Sequence, residues 1–279
     1  MKNIKLKRNE SFSIRDGWFD KAINAIANKE KPFYKNEGIY ILGIGANMVK
    51  GLKYWLIAAN VFDAKKNDLT DFGNLIYKYD RFLESKFTWY LIHYFLVTNF
   101  DDSPVFYSFF NSIKFSEFNK KDLLNCLNDL YSDCDYNSKS LESDISILLK
   151  SYVKSDIVSN PEENYSCPLS ELNLLLYKNG LYIKNSSSFI ELSSLIIYFS
   201  LSNIYSDSFD IIESTKCDKS PCNIFNLEKN LYYQYLEDLK NRGLITINKT
   251  AGLNIVYFNK NYTLSDLFKI NFEGDHNEI

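Results

Sequence analysis

The sequence predicts a mostly α-helical protein with small β hairpins, in which winged helix-turn-helix units flank a helical body. Three observations predict it. Apolar residues recur at helical spacing through most of the 279 residues. Strand-like alternation is confined to short segments bounded by turn residues. The first and last blocks also share one grammar, a helix followed by a hairpin. The expected blocks are an N-terminal winged-helix-like DNA-binding unit at 1–85, a helical middle domain at 86–215, and a C-terminal winged-helix-like unit with an acidic tail at 216–279.

In the first block, "RDG" precedes Trp18, Ala22, Ile23, Ala25 and Ile26, which fit one face of a short helix ending near Pro32. Then comes "GIGANMVKGLKYWLIAANVFD", 43–63. Val49, Leu52, Leu56 and Ala59 lie at helical spacing, with Trp55 beside them, and should face a core. Asn47, Lys50, Lys53 and Tyr54 fall on the opposite face. Asn60 can end the helix, and "VFDAKKNDLTDFGNLIYKYD" reads as a short hairpin and a further helical turn. Helix, sharp turn, helix and hairpin is the order of a winged helix-turn-helix, whose second helix enters the DNA major groove.

The middle block holds the helical runs "TWYLIHYFLVTNF", "SPVFYSFFNSIKF", "DLLNCLNDLYSD", "SLESDISILLKSYV" and "SSFIELSSLIIYFSLSNIYS". Turn signals at "DDSP", "SNPEEN" and "YKNG" separate them, with at most a small hairpin near "LYIKNSSSF". The last block repeats the first. "NIFNLEKNLYYQYLEDLKNRGL" is a helix with Leu227, Leu231, Tyr235 and Leu239 on one side and Gly243 at its end. "LITI", "NKTAG" and "LNIVYF" follow as strand, turn and strand, and the tail "EGDHNEI" is acidic.

Net charge is -3, which excludes a generally basic protein. Its distribution is uneven. Residues 1–60 hold eleven Lys/Arg against five acids, +6, which leaves −9 for the remainder. One face for a polyanion on an acidic body is the expectation. Abundant Lys, Asn, Ile, Tyr and Phe also fit an AT-rich coding sequence, so the lysine count alone carries little weight. Five scattered cysteines, no secretory pattern at the N-terminus and no apolar run long enough to span a bilayer point to a cytoplasmic chain with reduced thiols.

The Lys50/Lys53 helix is the foremost candidate site. Its lysines would neutralise phosphates, and Asn47 could bond a phosphate or an adenine edge. Two lysines on a solvated helix face are the plainer alternative. Tyr54 could stack against a sugar or simply cover the core edge. Arg15 is a second cation, with an ion pair to Asp16 or Asp20 as its alternative. The glycines of "GIGANM" lack the spacing and the Lys-Ser/Thr pair of a phosphate-binding loop and suit a tight turn into the helix. His93 reads as a hydrogen-bonded core histidine, while His276 is in the tail. Asp101-Asp102, Glu162-Glu163 and Asp133/Asp135 fall in loops. Asp80 and Glu84, expected four apart on one helix face, are the most site-like acids, and Cys217/Cys222 lack the second ligand pair of a zinc site. No metal site and no catalytic residue is identified. Local signals favour binding over catalysis.

Four stretches carry a resemblance that covers most of the chain. "ESFSIRDGWFDKA" resembles an opening of His/Asn-Glu-x-Phe, Arg, Gly-Trp and Lys, and "LGIGANMVKGLKYWLIAANVFD" resembles the hallmark Leu-Gly-x-Gly-x-Asn-Met-Val, a basic residue and Tyr-Trp. "CPLSEL" at 167–172 and "TAGL" at 250–253 match two downstream signatures in the same order. The chain thus resembles a bacterial domain-of-unknown-function family of DNA phosphorothioation defence clusters, which includes SspB-type nicking subunits. Matching positions are Arg15, Gly17, Trp18 and Lys21, then Gly43, Gly45, Asn47, Met48, Val49, Lys53, Tyr54 and Trp55. Where members commonly carry a lysine, this chain has Ala46.

The resemblance implies a DNA-binding component of a phosphorothioation antiphage system that nicks DNA to allow sulfur incorporation. A non-catalytic DNA-binding or scaffold protein of the same system, or a winged-helix transcriptional regulator, is the alternative. Expected partners are DNA and the other phosphorothioation proteins, without a membrane, and a homodimer stays open. A divalent metal, Mg²⁺ or Mn²⁺, enters only if the chain nicks DNA. DNA contacts are expected from Arg15, Lys21, Asn47, Lys50, Lys53 and Tyr54.

Overall fold

A computed structural model of the chain describes residues 2–154, 166–250 and 253–274. Glu162-Glu163, the whole "SNPEEN" turn, the 251–252 turn of "TAGL" and His276 lie outside the described residues. The chain divides into two compact units, Met1–Asn185 and Ser186–Ile279. This division is coarser than the expected three blocks, and residues 86–185 fall with the first. The architecture is mostly helical with small sheets, as the periodicity predicts.

The first unit begins with β1 (Lys2–Asn3), α1 (Trp18–Ala27), α2 (Glu37–Leu42), α3 (Ala46–Ala58), the antiparallel pair β2 (Phe62–Asp63) and β3 (Asp68–Leu69), and α4 (Asp71–Tyr79). Gly17 stands before α1 in the left-handed region, and Trp18, Ala22, Ile23, Ala25 and Ile26 are buried on one face. Thr70 caps α4 by accepting the Gly73 amide. Asn60, at φ 56, turns the chain out of α3, a conformation that asparagine tolerates better than most residues.

Next come α5 (Lys86–Thr98), α6 (Pro104–Asn111), β4 (Glu117–Phe118), α7 (Lys120–Leu130), β5 (Cys134–Asp135), α8 (Ser138–Tyr152), a 3-10 turn at Pro168–Leu172, β6 (Leu175–Lys178) and β7 (Leu181–Lys184). β5 pairs in parallel with β1, and β4 joins β7 and β6 in a three-stranded antiparallel sheet. The hairpin at "YKNG" turns through Asn179 and Gly180, both at positive φ. α5 is buried on nearly every side. The abundant aromatics have their use here. Trp55 of α3 meets Phe106 edge-on at 5.4 Å, and Tyr152 packs on Phe106 and Phe110. His93 is the expected core histidine, with Nδ1 2.6 Å from the Tyr152 hydroxyl.

The segment ahead of α1 runs over α3 and holds it in place. Gly51 lies so close to the Asn9 carbonyl that an added Cβ would stand 2.8 Å from it. The Trp55 indole donates to the Phe12 carbonyl at 2.9 Å. Farther back, Asp144 accepts the Lys7 amide and the Asn9 side chain, both at 2.8 Å. Burial pushes the Asp144 carboxyl above its ordinary range, against the pull of those two donors.

The second unit comprises α9 (Ser194–Ser202), β8 (Ser208–Asp210), two single-turn helices α10 (Ile211–Ser214) and α11 (Pro221–Ile224), α12 (Lys229–Asn241), β9 (Ile245–Thr250), β10 (Leu253–Phe258) and α13 (Leu264–Glu273). β10 lies between β8 and β9, antiparallel to both. The expected helix over "NIFNLEKNLYYQYL" is two helices, because Asn226 at φ 51 breaks the chain between α11 and α12. The buried stripe of α12 accordingly runs through Tyr232, Tyr235, Leu236 and Leu239, with Leu231 only half-buried.

Candidate nucleic-acid interface

The turn between α2 and α3 decides what this region presents. Gly43 closes α2 in the left-handed conformation, φ 66, and donates its amide to the Ile39 carbonyl. Gly45 then precedes α3 as its N-cap. Neither glycine has a heavy atom within 4 Å of where a Cβ would stand, so the turn faces open space. Gly38 is the opposite case: an added Cβ would lie 2.2 Å from the Pro32 carbonyl oxygen and 2.7 Å from Val49. That contact lets α2 lie directly on α3.

On α3, Leu52, Trp55, Leu56 and Ala59 are fully buried, and Val49 is half-buried against α2. Asn47 and Lys50 are exposed and Lys53 is half-buried, so these three share the outer side. Tyr54 differs from the expectation of a DNA contact. It is buried, donates its hydroxyl to the Asp102 carbonyl at 3.0 Å, and lies under the Arg8 guanidinium at 5.4 Å. Burial pushes its phenol far above the ordinary range. The reason is angular: position 54 follows Lys53 by one residue, about 100° around the helix, which turns it toward the Arg8–Asp102 ion pair. Of the two uses open to Tyr54, covering the core is the one adopted.

A pocket of about 180 Å³ opens at the start of α3. Lys50 and Lys53 line it from one side and Lys35 from the segment before α2, with Phe33, Ala46 and Val49 among its walls. No Asp or Glu lines it. Lys53 reaches over the Phe33 ring, 5.8 Å from its centroid, and Lys35 over Tyr34 at 5.1 Å. None of the three lysines forms an ion pair with a described residue. Tyr34, before α2, and Tyr40, on α2, stand exposed, 54% and 84% accessible, the kind of aromatic a nucleic-acid surface interleaves with cations.

Arg15 and Lys21 do not line this pocket. The Arg15 guanidinium stacks over Phe12 and Trp18, at 5.6 and 5.5 Å, and Lys21 is exposed on α1. Lys35, Phe33 and the two tyrosines are absent from the residues expected from sequence. Their signal is the run "KPFYKNEGIY", whose lysines enter the charge count while its aromatics are given no role by the helical period.

The carboxylates are occupied elsewhere. Asp80 does not share a helix face with Glu84, because α4 ends at Tyr79; its carboxylate accepts the Glu84 and Ser85 amides. Asp63 and Asp102 line one larger pocket, of about 500 Å³. Asp63 accepts the Lys65 and Lys66 amides, which hold its carboxyl below the usual range, and Asp102 is paired with Arg8 and Asn99. Among the described residues no three His, Cys, Asp or Glu side chains could together hold a metal ion. The described residues therefore single out no ligand set for magnesium, an ion that one or two carboxylates and water suffice to hold.

A family model described as a protein of unknown function, DUF4007, matches residues 6–269. The chain belongs to the DUF4007 family. Two solved structures share its fold. One is described as an SspB crystal structure, at a TM-score of 0.80, and the other as a magnesium ion-bound SspB crystal structure, at 0.84. Each is 20% identical, with the match spanning 97% of this chain and 88% of the other. Among curated proteins, none matches this DUF4007 chain. No described helix is long and apolar enough to cross a membrane.

Proposed function

We propose that this DUF4007 protein is a DNA-binding component of a bacterial DNA phosphorothioation antiphage system, holding the duplex where it is opened for sulfur insertion. One observation carries the reading: the outer edge of α3 gathers Lys50 and Lys53 with Lys35, and no carboxylate answers them. Phosphates would, and Asn47 stands on the same side for a backbone or base-edge contact. The order α1, α2, α3, β2, β3 supports a winged helix with a short wing, in which α3 takes the recognition position. Arg15 and Lys21 would serve as flanking phosphate contacts. The fold shared with SspB supports the phosphorothioation setting and other proteins of that system as partners.

Nicking by this chain is the second reading, favoured by the fold it shares with a magnesium-bound SspB. No described carboxylate cluster supplies the metal, so no cleavage step is assigned to particular residues.

A supercoiled-plasmid assay with Mg²⁺, Mn²⁺ or EDTA separates the readings, run on the wild type and on the Lys50→Ala/Lys53→Ala variant. Retarded, intact plasmid that the variant fails to retard is the expected result for a DNA-holding subunit. Metal-dependent open circles lost in the variant would make the chain itself a nickase. Plasmid neither retarded nor cut by the wild type, alone or beside its partner proteins, would sink both.

A further inference from the structure

We infer that the pocket at the start of α3 is a discrete seat for one phosphate group of a nucleic-acid strand. The inference rests on the DNA-binding reading for the source of the phosphate, and on the pocket for its chemistry. Three lysines line one cavity from two separate segments, Lys35 from the turn before α2 and Lys50 and Lys53 from α3. Like charges gathered round one space repel each other. A protein without a ligand for them would disperse them or place a carboxylate between them, and here no acid lines the cavity. An anion is the missing partner.

Size and shape select the anion. A water requires about 10–15 Å³ of such volume, so 180 Å³ holds an oxyanion with part of its hydration shell. Gly38 brings α2 onto Val49 in the pocket wall, and Lys53 rests over the Phe33 ring at 5.8 Å. Beside the lysines, Ala46 begins α3 with no acid in its first turn and no side chain capping it, so amide groups and the helix dipole add to the same field. The open space at Gly43 and Gly45 leaves room for a strand to approach the backbone there. The lysines hold one phosphate in the pocket, and the strand continues along the Asn47–Lys50 edge.

The test uses the full chain and two pocket variants, Lys35→Ala and Ala46→Glu, both at exposed positions off the buried core. The binding of a labelled duplex is measured against salt, and the melting temperature against inorganic phosphate with chloride at matched ionic strength. We expect Lys35→Ala to lower the log–log salt slope by about 0.9, the value of one phosphate contact. Phosphate should raise the melting temperature of the wild type and of neither variant. Wild-type slopes in both variants, with no phosphate effect on the wild type, would overturn the pocket while leaving α3 as a DNA-binding edge. Stabilisation by phosphate through Lys35 in a chain that binds no duplex would overturn the strand as the source, and the DNA-binding reading with it.

Discussion

α3 with its hairpin in the first unit and α12 with its hairpin in the second follow the same order of elements but carry different surfaces. α3 starts from Gly45 with no acid in its first turn, and its outer lysines meet no carboxylate. α12 starts from Glu228, and its Lys240 is already paired with Glu237 at 3.0 Å. The surrounding sequence agrees: residues 1–60 carry +6, whereas 186–279 hold twelve acids against eight Lys/Arg. An element order is therefore a frame, and charge at the helix start decides what the frame can hold. On this comparison α3 is the helix we propose for DNA, and α12 is not, although Lys229, Asn230 and Gln234 are exposed there.

The largest effect should come from reversing charge at the two helices in turn. Lys50→Glu/Lys53→Glu should abolish duplex binding at physiological salt, since two attractive contacts become repulsive. Lys229→Glu/Lys240→Glu should leave the affinity and its salt slope unchanged. A shift assay over a salt series reads both, and equal losses would end the distinction between the two helices. Next in size is Gly38→Ala. Its Cβ meets the Pro32 carbonyl at 2.2 Å, so α2 must lift from α3, at a cost of about 1–3 kcal/mol in denaturant unfolding. No equivalent contact is described for α12, where Gly243 has open space around it. A neutral Gly38→Ala would mean that α2 does not need that close approach.

Much of this frame was legible in the sequence, and the failures have physical causes. The 3.6-residue period places α1 and α3, each with one apolar face, whereas central runs such as α5 and α9 show instead as long apolar stretches buried nearly all round. Some positive-φ positions are legible as well, such as Gly43 and Asn60 at the ends of helices, whereas Lys7, Lys29 and Leu83 give no such signal. The period could not tell that Tyr54 lies under Arg8, since that cation comes from 46 positions earlier in the chain. Nor could it show that α4 stops before Asp80, whose carboxylate is used to turn the chain. The site was half legible. Lys50 and Lys53 share a helix and were found together; Lys35 joins them only through the Gly38 contact, which no periodicity reports.

A smaller gain is expected at Ala46, where the resemblance implies that relatives commonly carry lysine. Ala46 lines the pocket and is exposed, so Ala46→Lys adds a fourth cation without disturbing the core. Duplex affinity should rise and the salt slope should steepen by about 0.9. An unchanged slope would place the strand away from the helix start.

Lys184 sharpens the comparison from the other side, as a lysine whose ammonium is taken up by backbone carbonyls. Its ammonium donates to the Phe109 and Ile113 carbonyls at 2.8 and 2.6 Å and rests on the Phe109 ring at 4.5 Å, at the end of α6. Burial, with Lys114 nearby, pushes it down to about 7 despite those carbonyls. The unfolded chain holds this proton up to about 10.4. Between those values the unfolded state binds more protons than the folded state, so stability should rise with pH, by at most about 1.4 kcal/mol per unit. Below about 7 both states are protonated and this contribution is gone. Urea unfolding from pH 6 to 10 should show the rise in wild type and lose it in Lys184→Met, whereas Lys50→Met should keep it. If Lys184→Met follows the wild-type curve, the ammonium stays charged on its carbonyls, and burial has moved it less than the α6 carbonyls hold it.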